Sequence, residues 1–297
     1  MKKSFISRFV NRGFQRRLSG TTVLLASLAV IALSVQARSE RKPSGIFYGE
    51  AQTVGAGTAR SYVNLTNGVP VEIGFELSEG ALQALPAGEK WHAGMNHSYK
   101  EYLLPLPREA EATPIKLLEL DWNPGGHEPP GVYDVPHFDF HFYTISRAER
   151  DAINEAAPDY MKKAEHLPAP DLVPAGYFTP PPITPVPRMG VHWANRDAEE
   201  LRGKPFTHTF IYGSWDGRMI FYEPMIAHSF LASKPDVTSS FPTAQCTQPS
   251  GYHPSQYSIR YNRDARTYRV SLSGFEFRGC DASGKIAVFE ESVHPGL

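Results

Sequence analysis

The chain has 297 residues, 41% of them hydrophobic, with 30 basic and 31 acidic residues, which is apolar mass enough for a sizeable globular core. Lys2, Lys3, Arg8, Arg12, Arg16 and Arg17 all precede an uncharged stretch from Leu18 to Ala37; removing those six basic residues leaves 24 against 31 acidic. A remainder carrying about −7 excludes nucleic acid and an anionic membrane surface as expected partners.

Residues 1–37 read as an export signal, with a basic head, an apolar run densest from Val23 to Val35, and Val35-Gln36-Ala37 as compact residues for cleavage after Ala37. An uncleaved anchor is the alternative, because about twenty uncharged residues just span a bilayer; a membrane is a partner only in that case. Arg16-Arg17 is followed by Leu18-Ser19-Gly20, a poor twin-arginine continuation, and no Cys follows the run to carry a lipid. The expected location is periplasmic or extracellular. Cys246 and Cys280 are the two cysteines, and in an oxidising compartment they are expected to form one disulfide, with a pair of buried thiols as the alternative.

After a polar connector, 38–44, strand-like runs cover Ile46 to Thr53, Ala59 to Thr66 and Val69 to Leu77, with Asn67-Gly68 as a hairpin turn between the last two. Glu79 to Leu85 can form one or two helical turns. Strands follow at Glu101 to Leu106, Ile115 to Asp121 and Val132 to Thr144. Ser146, with Glu149 in the capping-box position, opens the one convincing helix, drawn as far as Ala157. Eight prolines between Pro168 and Pro187 forbid an ordinary helix or central strand there. With its interspersed apolar residues the segment reads as a strap against the surface. Strands resume at Phe206 to Tyr212 and Arg218 to Tyr222 around a Gly213 to Gly217 turn, then at Tyr257 to Tyr261, Tyr268 to Leu272 and Lys285 to Glu290.

The class is mostly β: an incompletely closed β-barrel or a β-sandwich, with one helical excursion and the Pro-rich strap. The domain plan is a β domain over 45–227 and a C-terminal β extension over 228–297 carrying the disulfide.

The run Val135-Pro136-His137-Phe138-Asp139-Phe140-His141-Phe142-Tyr143 alternates polar and aromatic residues. A period of two places His137, Asp139 and His141 on one face of a strand and the three Phe rings on the other, where their burial would hold the polar face rigidly. Such a face can also line a partly solvated sheet without any ligand. Nearby in sequence, Asn123-Pro124-Gly125-Gly126-His127-Glu128 forms a turn-rich loop, and Met189-Gly190-Val191-His192-Trp193 and Tyr222-Glu223-Pro224-Met225 add further donors.

Residues two apart in a strand have Cα atoms roughly 6.6 Å apart, and residues four apart roughly 13 Å. His137 and His141 therefore do not easily reach one ion. The expected ligand set is centred on Asp139 with His137 and His141 flanking, completed by His192 and Glu223. His127 and Glu128 are held in reserve as ligand, supporting group or, for Glu128 and Glu223, general base. Mixed imidazole and carboxylate ligation suits Zn, Fe, Mn or Cu. Met189 and Met225 are read as buried apolar residues ahead of copper ligands. The spacing of His137-x-Asp139 to His192, with Arg202 beyond, also fits a two-histidine, one-carboxylate oxygenase using an oxoacid. His92, His97, His228 and His253 are read as surface residues, and Ser214 as part of a turn rather than a nucleophile.

The strings NPGGHEP, PHFDFHFY, MGVHW and FYEPMI, between about Gly45 and Ala227, resemble an uncharacterised bacterial family, the TTHB-type or DUF5602-like group. The resemblance implies a secreted, mostly β protein with the His/Asp face as its hallmark, and no established reaction. The function expected is an exported protein binding a divalent metal, in a structural or storage role. The alternatives are a metal-dependent enzyme acting on water or a small polar ligand, and a metal-free structural module forming homo-oligomers.

Overall fold

The computed structural model describes residues 42–89 and 97–280. The leader, most of the connector, His92 and the expected strand Lys285 to Glu290 lie outside the described residues. In chain order the strands are β1 (Gly45–Tyr48), β2 (Gln52–Val54), β3 (Gly57–Thr66), β4 (Val69–Ser78), β5 (Lys100–Leu104), β6 (Leu117–Asn123), β7 (His137–Tyr143), β8 (Tyr177–Phe178), β9 (Val191–Asn195), β10 (His208–Trp215), β11 (Arg218–Ala227), β12 (Asp236–Ser240), β13 (Gly251–His253), β14 (Gln256–Asn262), β15 (Thr267–Ser273) and β16 (Glu276–Arg278). Three short helices, α1 (Arg147–Asp151), α2 (Tyr160–Glu165) and α3 (His228–Ala232), lie between them.

The strands form two antiparallel sheets and one small ribbon. The first sheet runs β1-β3-β4-β15-β14-β12, with β2 also on β3; the second runs β5-β6-β7-β11-β10-β9-β8; β13 pairs with β16. Among the described residues no ladder joins the two large sheets, so the barrel reading is corrected to a sandwich-like stack. Side-chain hydrogen bonds cross between the sheets instead, Gln52 of β2 donating to the Leu103 carbonyl of β5 and His208 Nδ1 of β10 lying 2.8 Å from the Tyr257 hydroxyl of β14. The strands after Ala227 do not stand apart: β15 pairs with β4 along seven residues, from Thr267 opposite Ser78 to Ser273 opposite Glu72.

The hairpin signal at Asn67-Gly68 has a direct cause. Both residues have positive φ, 51° and 76°, the backbone that a two-residue turn between twisted strands requires. By contrast, the turn expected over Gly213 to Gly217 is shorter. Gly213, Ser214 and Trp215 continue β10, and the reversal is left to Asp216 and Gly217, with φ of 47° and 78°. Likewise β7 starts only at His137, because the chain from Val132 to Pro136 is still loop.

The core lies between the sheets. Phe138, Phe140 and Phe142 of β7 are fully buried, and Phe75 of β4 meets Phe140 and Phe142 edge-on at 5.1 Å each. Leu118, Leu120 and Trp122 extend the same face onto β6. Burying each Phe ring contributes about 1.5–3 kcal/mol, and this fixes which face of β7 points away.

The helical excursion starts as expected. Ser146 Oγ accepts from the Glu149 amide while Glu149 accepts from the Ser146 amide, a complete capping box. The helix stops at Asp151 rather than Ala157, since Ile153 turns inward to a second apolar cluster with Tyr143, Tyr160 and Met189. A third cluster gathers Tyr133, Phe206, Ile211, Met225 and Ala227. Both Met residues are thus apolar packing. The Pro-rich segment lies along the edge of the second sheet as a strap, where Tyr177 and Phe178 pair with Asn195 and Ala194. No helix among the described residues is long and apolar enough to cross a membrane. Cys246 and Cys280 are joined in a disulfide.

Arg150 is the largest fully buried side chain. From α1 it pairs with Glu119 at 2.6 Å, with Asp151 at 2.8 Å and with Glu101; Arg188 reaches Glu101 at 3.0 Å. Replacing Arg150 by Met leaves Glu119 buried without its cation, so an Arg150→Met variant is expected to lose about 3–5 kcal/mol of stability in urea unfolding at neutral pH.

Candidate metal centre

The face of the second sheet turned away from the core is built row by row from strand register. Asn123 lies opposite His137, Asp121 opposite Asp139 and Glu119 opposite His141. On the other side of β7, Met225 faces Asp139 and Tyr222 faces Phe142, so Glu223 comes beside His141. Farther out, His192 of β9 lies opposite Gly213 of β10. The polar side chains form a strip flanked by the second and third apolar clusters. His137, Asp139, His141, Glu119, Asp121 and Glu223 are all buried.

Within this strip the donors fall into neighbouring groups whose ligand atoms lie within 4.8 Å of one another: His127, His137 and Asp139; His141, His192 and Glu223; and Glu119, Asp121 and His141. The five residues expected around one ion are therefore divided. His137 and Asp139 recruit His127, the reserve residue, whereas His192 and Glu223 join His141. The oxygenase spacing fails on the same ground, because His192 is not in the His137/Asp139 group, and Arg202 pairs with exposed Asp197. Glu128 is half exposed, 3.5 Å from His97, and serves His127 through its backbone carbonyl.

In the first group the protons can be assigned. His137 Nδ1 lies 2.7 Å from the Val135 carbonyl, and His127 Nδ1 lies 2.8 Å from the Glu128 carbonyl. A carbonyl only accepts, so each Nδ1 carries the hydrogen, and in the neutral ring each Nε2 presents a lone pair. Both lone pairs face the Asp139 carboxylate, His137 Nε2 at 3.3 Å from Oδ1 and His127 Nε2 at 3.5 Å from Oδ2. Acceptor facing acceptor is repulsive unless a proton or a cation lies between. Two ligands about 2.1 Å from one tetrahedral ion are themselves about 3.4 Å apart, which matches these separations. Asn123 Nδ2 donates to Asp139 Oδ2 at 2.7 Å and fixes the carboxylate.

The second group shows the same spacing. His141 Nε2 is 3.4 Å from Glu223 Oε2, His192 Nε2 is 3.7 Å from the same oxygen, and His141 Nδ1 is 3.6 Å from Asp121 Oδ2. Both His141 nitrogens, both Asp121 oxygens, Glu223 Oε2, His137 Nε2 and Asp139 Oδ1 are buried without a hydrogen-bond partner. Buried polar atoms normally have one. At the solvent side stand His127 and His192, with side chains 21% and 29% exposed.

The electrostatics follow from burial. Burial takes His141 down to about 3, against the pull of Asp139, and His192 down to about 4. It pushes Asp121 and Glu223 well above the usual carboxylate range, and Glu119 up to about 7 even beside Arg150. At Asp139 burial also acts upward, but the His137 and His127 rings outweigh it and hold the carboxyl well below its ordinary value. Burial lowers His127 and the Asp139 contact more than restores it. His141 and His192, kept neutral by burial, are in the protonation state a cation needs, whereas Asp139 favours the charged form of His127, so a cation there displaces a proton.

Sequence reasoning missed Asn123, Glu119 and Asp121, although Leu117 to Asn123 carries the same alternation as β7, with Leu118, Leu120 and Trp122 inward. It also misplaced several histidines as surface residues. His253 is buried against the Tyr222 hydroxyl at 2.6 Å, His228 Nε2 lies 3.0 Å from the Leu82 carbonyl, and the His97 ring lies 5.5 Å from His127.

Fold and face together define a β-sandwich protein with a buried histidine–carboxylate strip on the outer side of one sheet. Residues 66–122 match the TTHB210-like family model, described as Hypothetical protein TTHB210. The matched stretch runs from the end of β3 to Trp122 in β6. It includes Glu119 and Asp121 and stops before His127 and the PHFDFHFY string. No curated protein and no solved structure matches the chain.

Gly213 holds the second group open. A Cβ there would lie 2.0 Å from Phe221 Cε1 and Cζ, and that ring sits 4.9 Å from His141 and 5.5 Å from His192. Gly213→Ala is expected to displace the Phe221 ring and cost about 1–3 kcal/mol by overpacking, read as a lower urea midpoint.

Proposed function

We propose that this protein binds a divalent transition metal through His127 Nε2, His137 Nε2 and the Asp139 carboxylate. The observation that carries the reading is the pair of backbone-locked imidazoles whose free nitrogens face one buried carboxylate at ligand–ligand spacing. Carbonyl contacts at the far nitrogen of each ring are the usual support for a liganding histidine. Two imidazoles and a carboxylate suit Zn, Fe(II), Mn or Cu(II).

Three protein ligands leave a coordination position, and the partial exposure of His127 supports access to it by water or a small polar ligand. That favours an ion with an exchangeable water over a closed structural one, and so the metal-dependent enzyme over the structural role. The chemistry such an ion supplies is polarisation of a bound oxygen or lowering of the pKa of bound water. The chain's own part is to hold Asp139 by Asn123, fix both ring tautomers and keep the strip dry. Export is part of the reading, supported by the leader sequence and by the Cys246–Cys280 disulfide.

Elemental analysis of purified protein loaded in turn with Zn(II), Mn(II), Fe(II) and Cu(II), then desalted, tests this. At least one stoichiometric ion per chain is expected. His137→Ala should lose the ion from this group, and Asn123→Ala should bind it about 10–100-fold more weakly. Affinity should fall as pH drops through the imidazole range, because protons compete for the ligands. Absence of stoichiometric metal under every loading condition defeats the proposal, and unfolding on chelation would return the ion to a structural role.

A further inference from the structure

We infer that the protein holds a second divalent cation at His141 Nε2, His192 Nε2 and a Glu223 oxygen, beside the first, so that the strip is a two-ion centre. The inference rests on the metal reading above for its first ion, but its own ligands are separate. Asp139 and His141 are two residues apart on β7, with Cα atoms roughly 6.6 Å apart, and each has its own partners from different strands and loops.

Three observations carry it. First, Glu223 Oε2 lies 3.4 Å from His141 Nε2 and 3.7 Å from His192 Nε2. These are too long for sound hydrogen bonds and close to the roughly 3.4 Å between two ligands of one tetrahedral ion. Second, His141 and Glu223 are almost wholly buried, with side chains 1% and 2% exposed, yet both His141 nitrogens and Glu223 Oε2 have no hydrogen-bond partner. A buried imidazole with two unused nitrogens is costly unless something sits on them. Third, Asp121 Oδ2 lies 3.6 Å from His141 Nδ1, longer than a hydrogen bond but on the side of the ring from which a carboxylate orients a liganding imidazole when the gap closes.

Charge points the same way. Arg150 answers Glu119 and Glu101, with Arg188 also on Glu101. Asp121, Asp139 and Glu223 face no Arg or Lys in the described ion pairs; they lie against imidazoles and, for Asp139, the Asn123 amide. With Asp139 facing the first ion, Asp121 and Glu223 are the carboxylates left at the second group, and one dication there balances their two charges when both are ionised.

The test is metal stoichiometry and spin coupling on the full chain, loaded with Mn(II), desalted and read by elemental analysis and electron paramagnetic resonance. Wild type is expected to hold two ions per chain with a spectrum broadened by coupling. His192→Ala and Glu223→Gln should each hold one ion and give the six-line signal of isolated Mn(II), and His137→Ala should likewise fall from two to one. Far-ultraviolet circular dichroism and urea unfolding check that each variant is folded. A wild type that saturates at one ion overturns this inference and leaves the first site standing, whereas a wild type with none overturns both. A folded His192→Ala that keeps two ions, or retains none, overturns the assignment to this group. Should a variant fail to fold, the wild-type count and the presence or absence of coupling decide.

Discussion

The structure depends on the burial of Phe138, Phe140 and Phe142 between the two sheets. Three rings at about 1.5–3 kcal/mol each lock the register of β7, because a slip of one residue would turn all three outward and drive His137, Asp139 and His141 into the core. Phe75 from the opposite sheet, edge-on to two of the rings, makes that choice a contact between sheets rather than a local preference. The polar strip is therefore as rigid as the core behind it.

Burying that strip is expensive, and the neighbouring elements show how part of the cost is met. The capping box at Ser146 starts a helix just long enough to send Arg150 onto the sheet, where it pairs with Glu119 and Glu101. Asn123 satisfies one oxygen of Asp139. The remaining donors, on His137, Asp139, His141, Asp121 and Glu223, have no such protein partner, and the proposed ions would stand where Arg150 stands for the others. Lone pairs held at ligand spacing by carbonyl-locked rings are the physical link between the fold and that reading.

The family match lies on the strands leading into the site and not on the site itself. It covers β4 and β5 and ends in β6, so it bears on the scaffold that holds Glu119 and Asp121 and leaves the His/Asp strand to be argued from geometry.

The sequence by itself determined the local facts. Period-two alternation over residues 137–143 placed the His/Asp face, Asn67-Gly68 marked a hairpin, Ser146 and Glu149 marked a helix start, and proline density marked a strap. Each is readable because its cause lies within a few residues: strand pleat, positive φ, a reciprocal cap, a missing amide. The disulfide follows from the even count of cysteines and the export that the leader sequence leads one to expect. Only the tertiary structure decided which residues meet. It chose a sandwich over a barrel, since that depends on which edges pair. It also divided the five expected ligands into two groups, exchanging His192 for His127 beside Asp139. Register between β7 and β11, the span of β10 between His192 and the rest, and the return of the 123–135 loop are set by contacts distant in sequence. The spacing along the chain carries no trace of them.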